Sequence, residues 1–309
     1  MEEEKAIPHY WGETPEEEYY KEQGIKSSNF YYKAASGLTL FTKSWQPIKS
    51  GAPRGVICMD HGYGNGISWT FQAHPNLPRP ERIRPLDLHG HGRSQGLKAY
   101  VPNVDDALSF FDFAIAQDPI FEKPPKFLYG ESMGGAICLL MHFKRPEFFK
   151  GAILMAPMCK ISEKVKPRWP IPQILTAVAR FAPTLAVVPT ADLLEKSVKV
   201  GEKKIIAAMN PMMYKGKPRL GTVVELIRVT ECVSERLRDV EIPFVVMHGD
   251  TDVVTDPDVS RELYELARSE DKSIKIYEGM MHSLVFGETD ENVAIVRADI
   301  IRWLEERCD

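Results

Sequence analysis

The chain has 309 residues, 44% of which are hydrophobic, and a formal net charge of −4. This length suffices for one large domain or two smaller ones, and the slightly negative charge excludes a global attraction to nucleic acid. Five scattered cysteines lack metal-type spacing, which predicts free thiols without a structural disulfide. No early apolar run resembles a signal peptide, so we expect a soluble, cytoplasmic protein.

The first predicted elements form a β-hairpin. Residues 30–34 and 38–45 are rich in β-branched and aromatic residues, and Ser36 and Gly37 between them mark a turn. We interpret residues 1–24 as an N-terminal extension and residues 25–309 as one domain that begins with this hairpin.

Short apolar runs follow the hairpin, each bounded by Gly, Pro or charged residues, with helical stretches between most of them. Such runs are typical of the buried strands of a parallel sheet, so the pattern predicts an α/β domain. The predicted strands are residues 56–59, 126–129, 152–155, 244–247 and 274–277. A helix over about residues 292–307 closes the domain.

The strand pattern stops between Pro157 and about Arg238, where an apolar helix, a Met-rich stretch and another helix follow one another. We interpret residues 158–238 as an inserted helical cap over the carboxyl ends of the strands, where open α/β folds bind ligands. The most apolar stretch, residues 171–188, contains two prolines and Arg180. It is therefore predicted as a cap helix rather than a membrane span, and peripheral membrane contact through its apolar surface stays open.

Residues 130–135, Gly-Glu-Ser-Met-Gly-Gly, lie between the predicted strand 126–129 and a helix-like stretch over residues 136–143. A serine on such a tight turn has its hydroxyl forced outward, and the flanking glycines let strand and helix pack closely. The helix N-terminus also favours developing negative charge. Ser132 is therefore the predicted nucleophile.

An acid is expected after a later strand, and residues 248–252, His-Gly-Asp-Thr-Asp, follow the predicted strand 244–247. Asp252 is the predicted catalytic acid. Asp250 lies closer to the strand end and is expected to shape the turn through its own backbone hydrogen bonds. Asp256 precedes Pro257 and suits a helix N-cap.

The predicted base is His282, which follows the last strand in a loop where a glycine leaves the imidazole free to reach Ser132. In this arrangement His282 takes the Ser132 proton, Asp252 fixes the tautomer and stabilises the imidazolium, and water hydrolyses a covalent acyl-enzyme. Other histidines, His142 and His248 among them, are interpreted as satisfied loop or core residues.

The oxyanion requires two backbone donors, and the predicted pair is the N–H groups of Tyr63 and Met133. Tyr63 belongs to the sequence His-Gly-Tyr-Gly at residues 61–64, directly after a predicted strand. A Gly-rich turn without a catalytic role is the alternative. A second Gly/His turn at residues 89–94 has no carboxylate or cysteine at ligand spacing, so we predict no metal and no organic cofactor.

Three runs of sequence resemble a known family. They are residues 61–69 (HGYGNGISW), 130–140 (GESMGGAICLL) and 156–161 (APMCKI). Together with the Ser, Asp and His candidates, they resemble the monoacylglycerol-lipase and serine-aminopeptidase-like branch of the α/β-hydrolases, and within it the plant caffeoylshikimate esterase group. The resemblance covers most of residues 25–307.

The resemblance implies the α/β-hydrolase fold, with a mostly parallel central sheet, flanking helices and an inserted helical cap. It also implies a small-molecule ester substrate: a monoacylglycerol, a lysophospholipid or, in the lignin pathway, caffeoyl shikimate. The cap carries apolar residues that suit an acyl chain or an aromatic acyl group. These residues are Ile174, Leu175, Val178, Phe181, Leu185, Met209, Met212 and Met213. The oligomeric state stays open.

One stretch departs from the family pattern. Residues 73–86 carry four prolines and three arginines where the family has an apolar helix end and a central strand. Proline cannot donate to a sheet ladder and the arginines would be buried, so we expect this strand to be damaged. A reading-frame slip over residues 74–84 is one hypothesis, because shifted codons permit an apolar sequence there.

Two alternatives to an active ester hydrolase remain open from the sequence. One is a non-catalytic ligand-binding member of the fold, because a fold does not by itself confer activity. The other is an inactive variant damaged at residues 73–86, because losing a central strand can exceed a domain's usual stability.

Overall fold

The central sheet has eight strands in the part of the chain that the structure describes. The computed structural model describes residues 14–48, 53–67, 82–117, 122–162, 170–190 and 192–308, with only the backbone of residues 114–117. The strands are β1 (Ile25–Lys33), β2 (Thr39–Pro47), β3 (Val56–Asp60), β4 (Arg82–Leu86), β5 (Lys126–Glu131), β6 (Gly151–Met155), β7 (Phe244–Gly249) and β8 (Lys272–Tyr277). Their spatial order is β1-β2-β4-β3-β5-β6-β7-β8. The pairs β1–β2 and β2–β4 are antiparallel, and the other neighbouring pairs are parallel.

Helices pack on both faces of this sheet. The described α-helices are α1 (Glu16–Glu22), α2 (Asp105–Gln117), α3 (Met133–Lys144), α4 (Ile171–Ala179), α5 (Leu193–Ser197), α6 (Gly201–Ala208), α7 (Leu220–Glu235), α8 (Pro257–Leu266) and α9 (Asp290–Glu305). Buried residues of α2, α3, α7 and α8 belong to the core on one face, and those of α1 and α9 belong to the core on the other.

Strand β3 shows how the two cores divide the sheet. All five of its residues are buried, as expected for a parallel strand covered on both faces. Val56 and Cys58 belong to the core that contains α3, whereas Ile57 and Met59 belong to the core that contains α9. This alternation follows from the two-residue period of side chains along a strand.

The predicted α/β architecture is confirmed. The hairpin is formed by β1 and β2, and each of the five predicted parallel strands lies within two residues of an observed strand at both ends. The C-terminal helix is α9, which begins and ends two residues earlier than predicted. Parts of three predicted segments lie outside the described residues: 1–13 of the extension, 73–81 of the Pro/Arg-rich stretch and 163–169 of the cap.

The expectation of a damaged strand is wrong for residues 82–86, because they form β4 between β2 and β3. Pro85 has no N–H to donate, yet its carbonyl accepts a hydrogen bond of 2.7 Å from Thr42 Oγ1 of β2. Arg84 is buried with its guanidinium 4.6 Å from the centre of the Phe30 ring, a favourable cation–π distance. The Phe30 ring therefore gives the buried guanidinium of Arg84 a favourable contact. The reading-frame slip over residues 74–84 stays a hypothesis about the coding sequence.

The described part of the segment between β6 and β7 consists of helices joined by turns and irregular stretches. It contains α4, α5, α6, α7 and a short 3-10 helix at Leu237–Asp239, and its described residues form no β-strand. We retain the division into extension, domain and cap as a proposal about domain organisation.

A buried charge cluster joins α1 to the sheet. Lys43 of β2 is only 1% exposed, and its ammonium forms an ion pair with Glu16 of α1. Arg93 binds the other carboxylate oxygen of Glu16 at 2.8 Å. The Lys43 ammonium also lies 5.2 Å from the ring centre of Tyr20 and 6.0 Å from that of Trp45. The helix therefore supplies a carboxylate to a lysine that the core has removed from water.

We expect Glu16→Ala to lower the free energy of unfolding by about 3 kcal/mol, because breaking a buried ion pair leaves an uncompensated charge. Glu17→Ala, at an exposed position of the same helix, is the matched control and should change it little. Urea unfolding of both variants measures the difference. Equal stability of the two variants would contradict a structural role for the ion pair.

Candidate active site

Ser132 lies at a strained turn between β5 and α3. Its backbone has φ 53° and ψ −113°, a conformation that non-glycine residues rarely adopt. Hydrogen bonds of 2.9 Å fix it there, from Ser132 N–H to the Met155 carbonyl and from Met158 N–H to the Ser132 carbonyl. A Cβ added to Gly134 would lie 2.2 Å from the Asp60 carbonyl oxygen, so this position requires glycine. The tight turn predicted from the sequence thus rests on close packing of α3 against β3.

Asp252 is buried in the loop after β7 and accepts hydrogen bonds through both carboxylate oxygens. Oδ1 accepts from Val254 N–H at 2.7 Å and from Thr255 N–H at 3.2 Å. Oδ2 lies 2.6 Å from His282 Nδ1 and 2.9 Å from His248 Nε2. Burial raises the pKa of Asp252, but the hydrogen bonds from His248 and His282 outweigh it and hold this pKa well below its ordinary value. The carboxylate is therefore charged at neutral pH.

His282 follows β8 and contacts Asp252 through one ring nitrogen. Its Nδ1 faces Asp252, and a charged carboxylate can only accept, so Nδ1 carries the proton and Nε2 is left as the basic nitrogen. His282 and Ser132 line the same cavity. The loop is held by Met281 N–H, which donates to the buried Glu288 carboxylate at 2.7 Å. The structure thus places Ser132 and His282 at one cavity and Asp252 in contact with His282, at the carboxyl ends of the strands.

The neighbouring aspartates have other roles. Asp256 caps α8 and accepts from Asp258 N–H at 3.1 Å, as predicted. Asp250 does not bind its own turn; its Oδ1 accepts from Gly279 N–H at 2.6 Å. The expectation of a purely local turn is corrected, because β7 and β8 are adjacent and bring their two following loops together.

The predicted oxyanion donors belong to two segments next to Ser132: Met133 follows it directly, and Tyr63 follows Gly62, which lies close to it. A Cβ added to Gly62 would be 3.4 Å from Ser132 Cβ, so the loop that carries Tyr63 passes directly beside the nucleophile. Tyr63 lines the cavity, and its hydroxyl donates to the Ala99 carbonyl at 3.2 Å. Met133 begins α3, where the first backbone N–H groups of a helix lack partners within the helix. Both positions suit oxyanion binding, and the donor pair stays a prediction.

Asp87 binds the end of the loop that carries Tyr63, a contact that was not predicted from the sequence. Its Oδ1 accepts from Ile67 N–H at 2.6 Å and its Oδ2 accepts from Arg93 N–H at 2.8 Å. Burial raises the pKa of Asp87 to about 6, against the opposing effect of these backbone donors. His61 adds a second connection, because its Nε2 accepts from Leu88 N–H at 3.1 Å. A charged residue directly after a strand is a sequence signal for such a role. This signal was missed because residues 73–86 were not expected to form a strand.

Thr255 was also missed. Its hydroxyl oxygen lies 2.9 Å from Asp252 Oδ2, 3.1 Å from His282 Nδ1 and 3.0 Å from the Ala156 carbonyl. Thr255 therefore joins the acid, the base and the segment after β6. It lies three residues after Asp252, and its type alone gave no signal for this role.

A cavity of about 570 Å³ lies over Ser132 and His282. Its wall combines apolar cap residues with polar groups, including Asn65, Asn210 and Tyr214. Of the eight apolar residues expected to receive an acyl chain, Met213 lines this cavity, so that expectation is largely wrong. Five of the others are exposed, and these are Ile174, Val178, Phe181, Leu185 and Met209. An apolar pattern predicts a helix face but does not decide whether the face meets a cavity or the surface.

Asp60 is an unusual buried acid at the end of β3. It is completely inaccessible, and neither carboxylate oxygen has a hydrogen-bond partner among the described residues. Burial raises the pKa of Asp60 well above its ordinary value. The folded protein therefore binds this proton more tightly than the unfolded chain does. The stabilisation from the neutral acid is complete below the unfolded-state pKa and is lost as pH rises toward the folded-state pKa.

We expect Asp60→Asn to raise the thermal midpoint at pH 7.5, because asparagine removes the cost of ionising a buried acid. The gain should be about 2–4 °C for each 1 kcal/mol in a chain of this size. It should shrink as pH falls toward about 4, the pKa of an unperturbed aspartate. Scanning calorimetry across this range measures the effect, with the exposed Glu265→Gln as control. A gain independent of pH would contradict the assignment.

A mostly parallel sheet with a serine at a strained strand-to-helix turn, an acid after β7 and a histidine after β8 defines an α/β-hydrolase. The family model Hydrolase_4, described as serine aminopeptidase, S33, matches residues 51–290. The chain belongs to this family.

Similar proteins cover most of the chain. Caffeoylshikimate esterase of Arabidopsis thaliana is 41% identical over 305 residues, which cover 96% of this chain and 91% of that protein. Monoglyceride lipase of Homo sapiens is 28% identical over 282 residues, covering 88% and 89%. A solved structure of a soluble variant of monoglyceride lipase from Saccharomyces cerevisiae, with a substrate analog, has a TM-score of 0.76 at 21% identity. It covers 90% of this chain and 94% of that chain.

Proposed function

We propose that this chain is a carboxylic ester hydrolase that works through an acyl-enzyme on Ser132. The observation that carries the proposal is the 2.6 Å contact between His282 Nδ1 and Asp252 Oδ2, next to a cavity that His282 shares with Ser132. The family and the esterase and lipase names of its relatives support the same reaction class.

The reaction begins with proton transfer from Ser132 Oγ to His282 Nε2, which Asp252 favours by stabilising the imidazolium that forms. The alkoxide attacks the ester carbonyl, and the negative charge moves to the carbonyl oxygen. The backbone N–H groups of Tyr63 and Met133 receive this oxyanion, and one such donor is typically worth about 3 kcal/mol of transition-state stabilisation.

The first half ends when His282 returns its proton to the leaving alcohol oxygen, which departs and leaves an acyl ester on Ser132. The second half repeats these steps with water in place of the serine hydroxyl. His282 then takes a proton from water, whose oxygen attacks the same carbonyl. Collapse of the second tetrahedral intermediate releases the carboxylic acid and restores the serine hydroxyl. No step requires a metal or an organic cofactor.

We favour esters of the caffeoyl shikimate type as substrates. The Arabidopsis relative with that name shares 41% identity over nearly the whole chain, whereas the human monoglyceride lipase shares 28%. Asn65 in the cavity wall offers amide hydrogen bonds to a substrate that carries hydroxyl groups on both halves. Asn210 Oδ1 and the Tyr214 hydroxyl also face this region, although they already bind Met212 N–H and the Lys217 carbonyl. Monoacylglycerols and lysophospholipids are the second candidates, supported by the lipase relatives.

The two alternatives from the sequence lose support. The inactive variant rested on loss of a strand that residues 82–86 do form as β4. A non-catalytic binding protein has no need of a base held by a buried, charged acid beside a serine at a strained turn. Relatives across the chain bear the names of enzymes.

We expect a fluorophosphonate probe to label the protein and Ser132→Ala to abolish the labelling, because the probe requires an activated serine hydroxyl. The same substitution should reduce hydrolysis by at least about 10³-fold. Hydrolysis is measured with caffeoyl shikimate, a monoacylglycerol and a lysophospholipid, and the highest kcat/KM is expected for the first. A folded wild-type protein that neither reacts with the probe nor hydrolyses any of these esters would refute the proposed function.

We also propose peripheral membrane contact through the cap. Ile171, Ile174, Val178, Phe181 and Leu185 expose large apolar side chains on and after α4, and Phe181 is 90% exposed. Such a patch is typical of surfaces that bind a partner or a lipid interface. None of the helices in the described ranges is long and apolar enough to span a membrane.

Phe181→Glu should weaken binding to phosphatidylcholine vesicles by about tenfold, because a phenylalanine is no longer available to enter the apolar layer. Ile295→Glu is the matched control, since Ile295 is 52% exposed on α9, outside the cap. Vesicle co-sedimentation measures the bound fraction. An equal effect of the two substitutions, or a wild-type protein that stays in the supernatant, would contradict contact through the cap.

A further inference from the structure

A second imidazole contacts the predicted catalytic acid. His248, within β7, is completely buried, and its Nε2 lies 2.9 Å from Asp252 Oδ2. Its Nδ1 lies 2.7 Å from the hydroxyl of Ser260, which is also buried, in α8. His248 does not line the cavity, so it is not placed to contact substrate. From the sequence, His248 is expected to be a core residue with its hydrogen bonds satisfied. In the structure, Asp252 accepts a hydrogen bond from it.

The hydrogen positions in this network follow from the carboxylate. A charged carboxylate accepts and cannot donate, so His248 Nε2 carries a proton toward Oδ2. In a neutral ring the other nitrogen is then an acceptor, and the Ser260 hydroxyl donates to Nδ1. The carbonyl of Thr255 lies farther from Nε2, at 3.3 Å. The carboxylate of Asp252 therefore sets the tautomer of His248, and Ser260 holds the other ring nitrogen in place.

The other donors do not replace His248. Thr255 has one hydroxyl proton, and both Asp252 Oδ2 and the Ala156 carbonyl lie within its reach. The two backbone donors of residues 254 and 255 bind Oδ1. His248 is the contact that connects Oδ2, the oxygen facing His282, to the hydrogen-bonded interior of the sheet.

We propose that His248 is a positioning residue, which fixes Oδ2 of Asp252 relative to His282 and thereby sets the orientation of the base. The proposal rests on the proposed function. Strand β7 therefore has two roles: it precedes the loop that contains Asp252, and it supplies His248. Because Thr255 and the backbone donors of Asp252 remain when His248 is removed, its loss reduces the rate without abolishing the reaction.

The test compares His248→Leu with His248→Gln, whose amide N–H can still reach Oδ2. We expect His248→Leu to lower kcat by about tenfold, the size of one lost hydrogen bond to a charged group, with KM changed less than about twofold. His248→Gln should recover most of kcat. Ser260→Ala, which removes the hydroxyl that holds His248 Nδ1, should lower kcat by a smaller factor and leave KM unchanged.

His142→Leu is the control for replacing a buried imidazole, because His142 contacts backbone groups of residues 239 and 241. It should lose stability and keep kcat. Wild-type kcat in His248→Leu, or equal losses in the Leu and Gln variants, would overturn the proposal. If His248→Leu does not fold, Ser260→Ala decides, because wild-type kcat in this variant would overturn the proposal. A wild-type protein without Ser132-dependent hydrolysis would instead overturn the proposed function.

Discussion

The strained backbone at Ser132 is the constraint on which the rest of the site depends. A side chain at positive φ typically costs about 1–3 kcal/mol and persists only where its surroundings leave no alternative. Here the segment after β6 binds the turn from one side, and α3 lies so close to β3 that Gly134 cannot carry a side chain. The same closeness presents the serine to the loops after β3, β7 and β8, and the cavity opens where those loops meet.

Three buried aspartates show how the environment decides what one side chain does. Asp252 receives donors on both oxygens, and its pKa is low. Asp87 receives two backbone donors that only partly offset burial, and its pKa is raised to about 6. Asp60 has no hydrogen-bond partner among the described residues, and burial raises its pKa well above the ordinary value. The pKa values of these three buried carboxyls thus follow the number of hydrogen-bond donors that each receives.

The sequence predicted the parts of the fold that depend on local pattern. Residues 126–135 had both the apolar run of a strand and the glycines of a tight turn, and the structure forms both. Prediction from the sequence failed where the contacts of a residue depend on another residue that is distant along the chain. Arg84 is accepted because Phe30 lies across the sheet, Asp250 binds Gly279 because β7 and β8 pair, and the apolar side chains of α4 face outward. None of these partners can be identified from spacing alone.

The ion pair of α1 sets an order on the assembly of the domain. Glu16 is synthesised early, yet its partners Lys43 and Arg93 follow 27 and 77 residues later. The helix has only seven residues, too few to be stable alone in water. During translation the helix therefore cannot form both ion pairs until the hairpin and the turn after β4 have been synthesised.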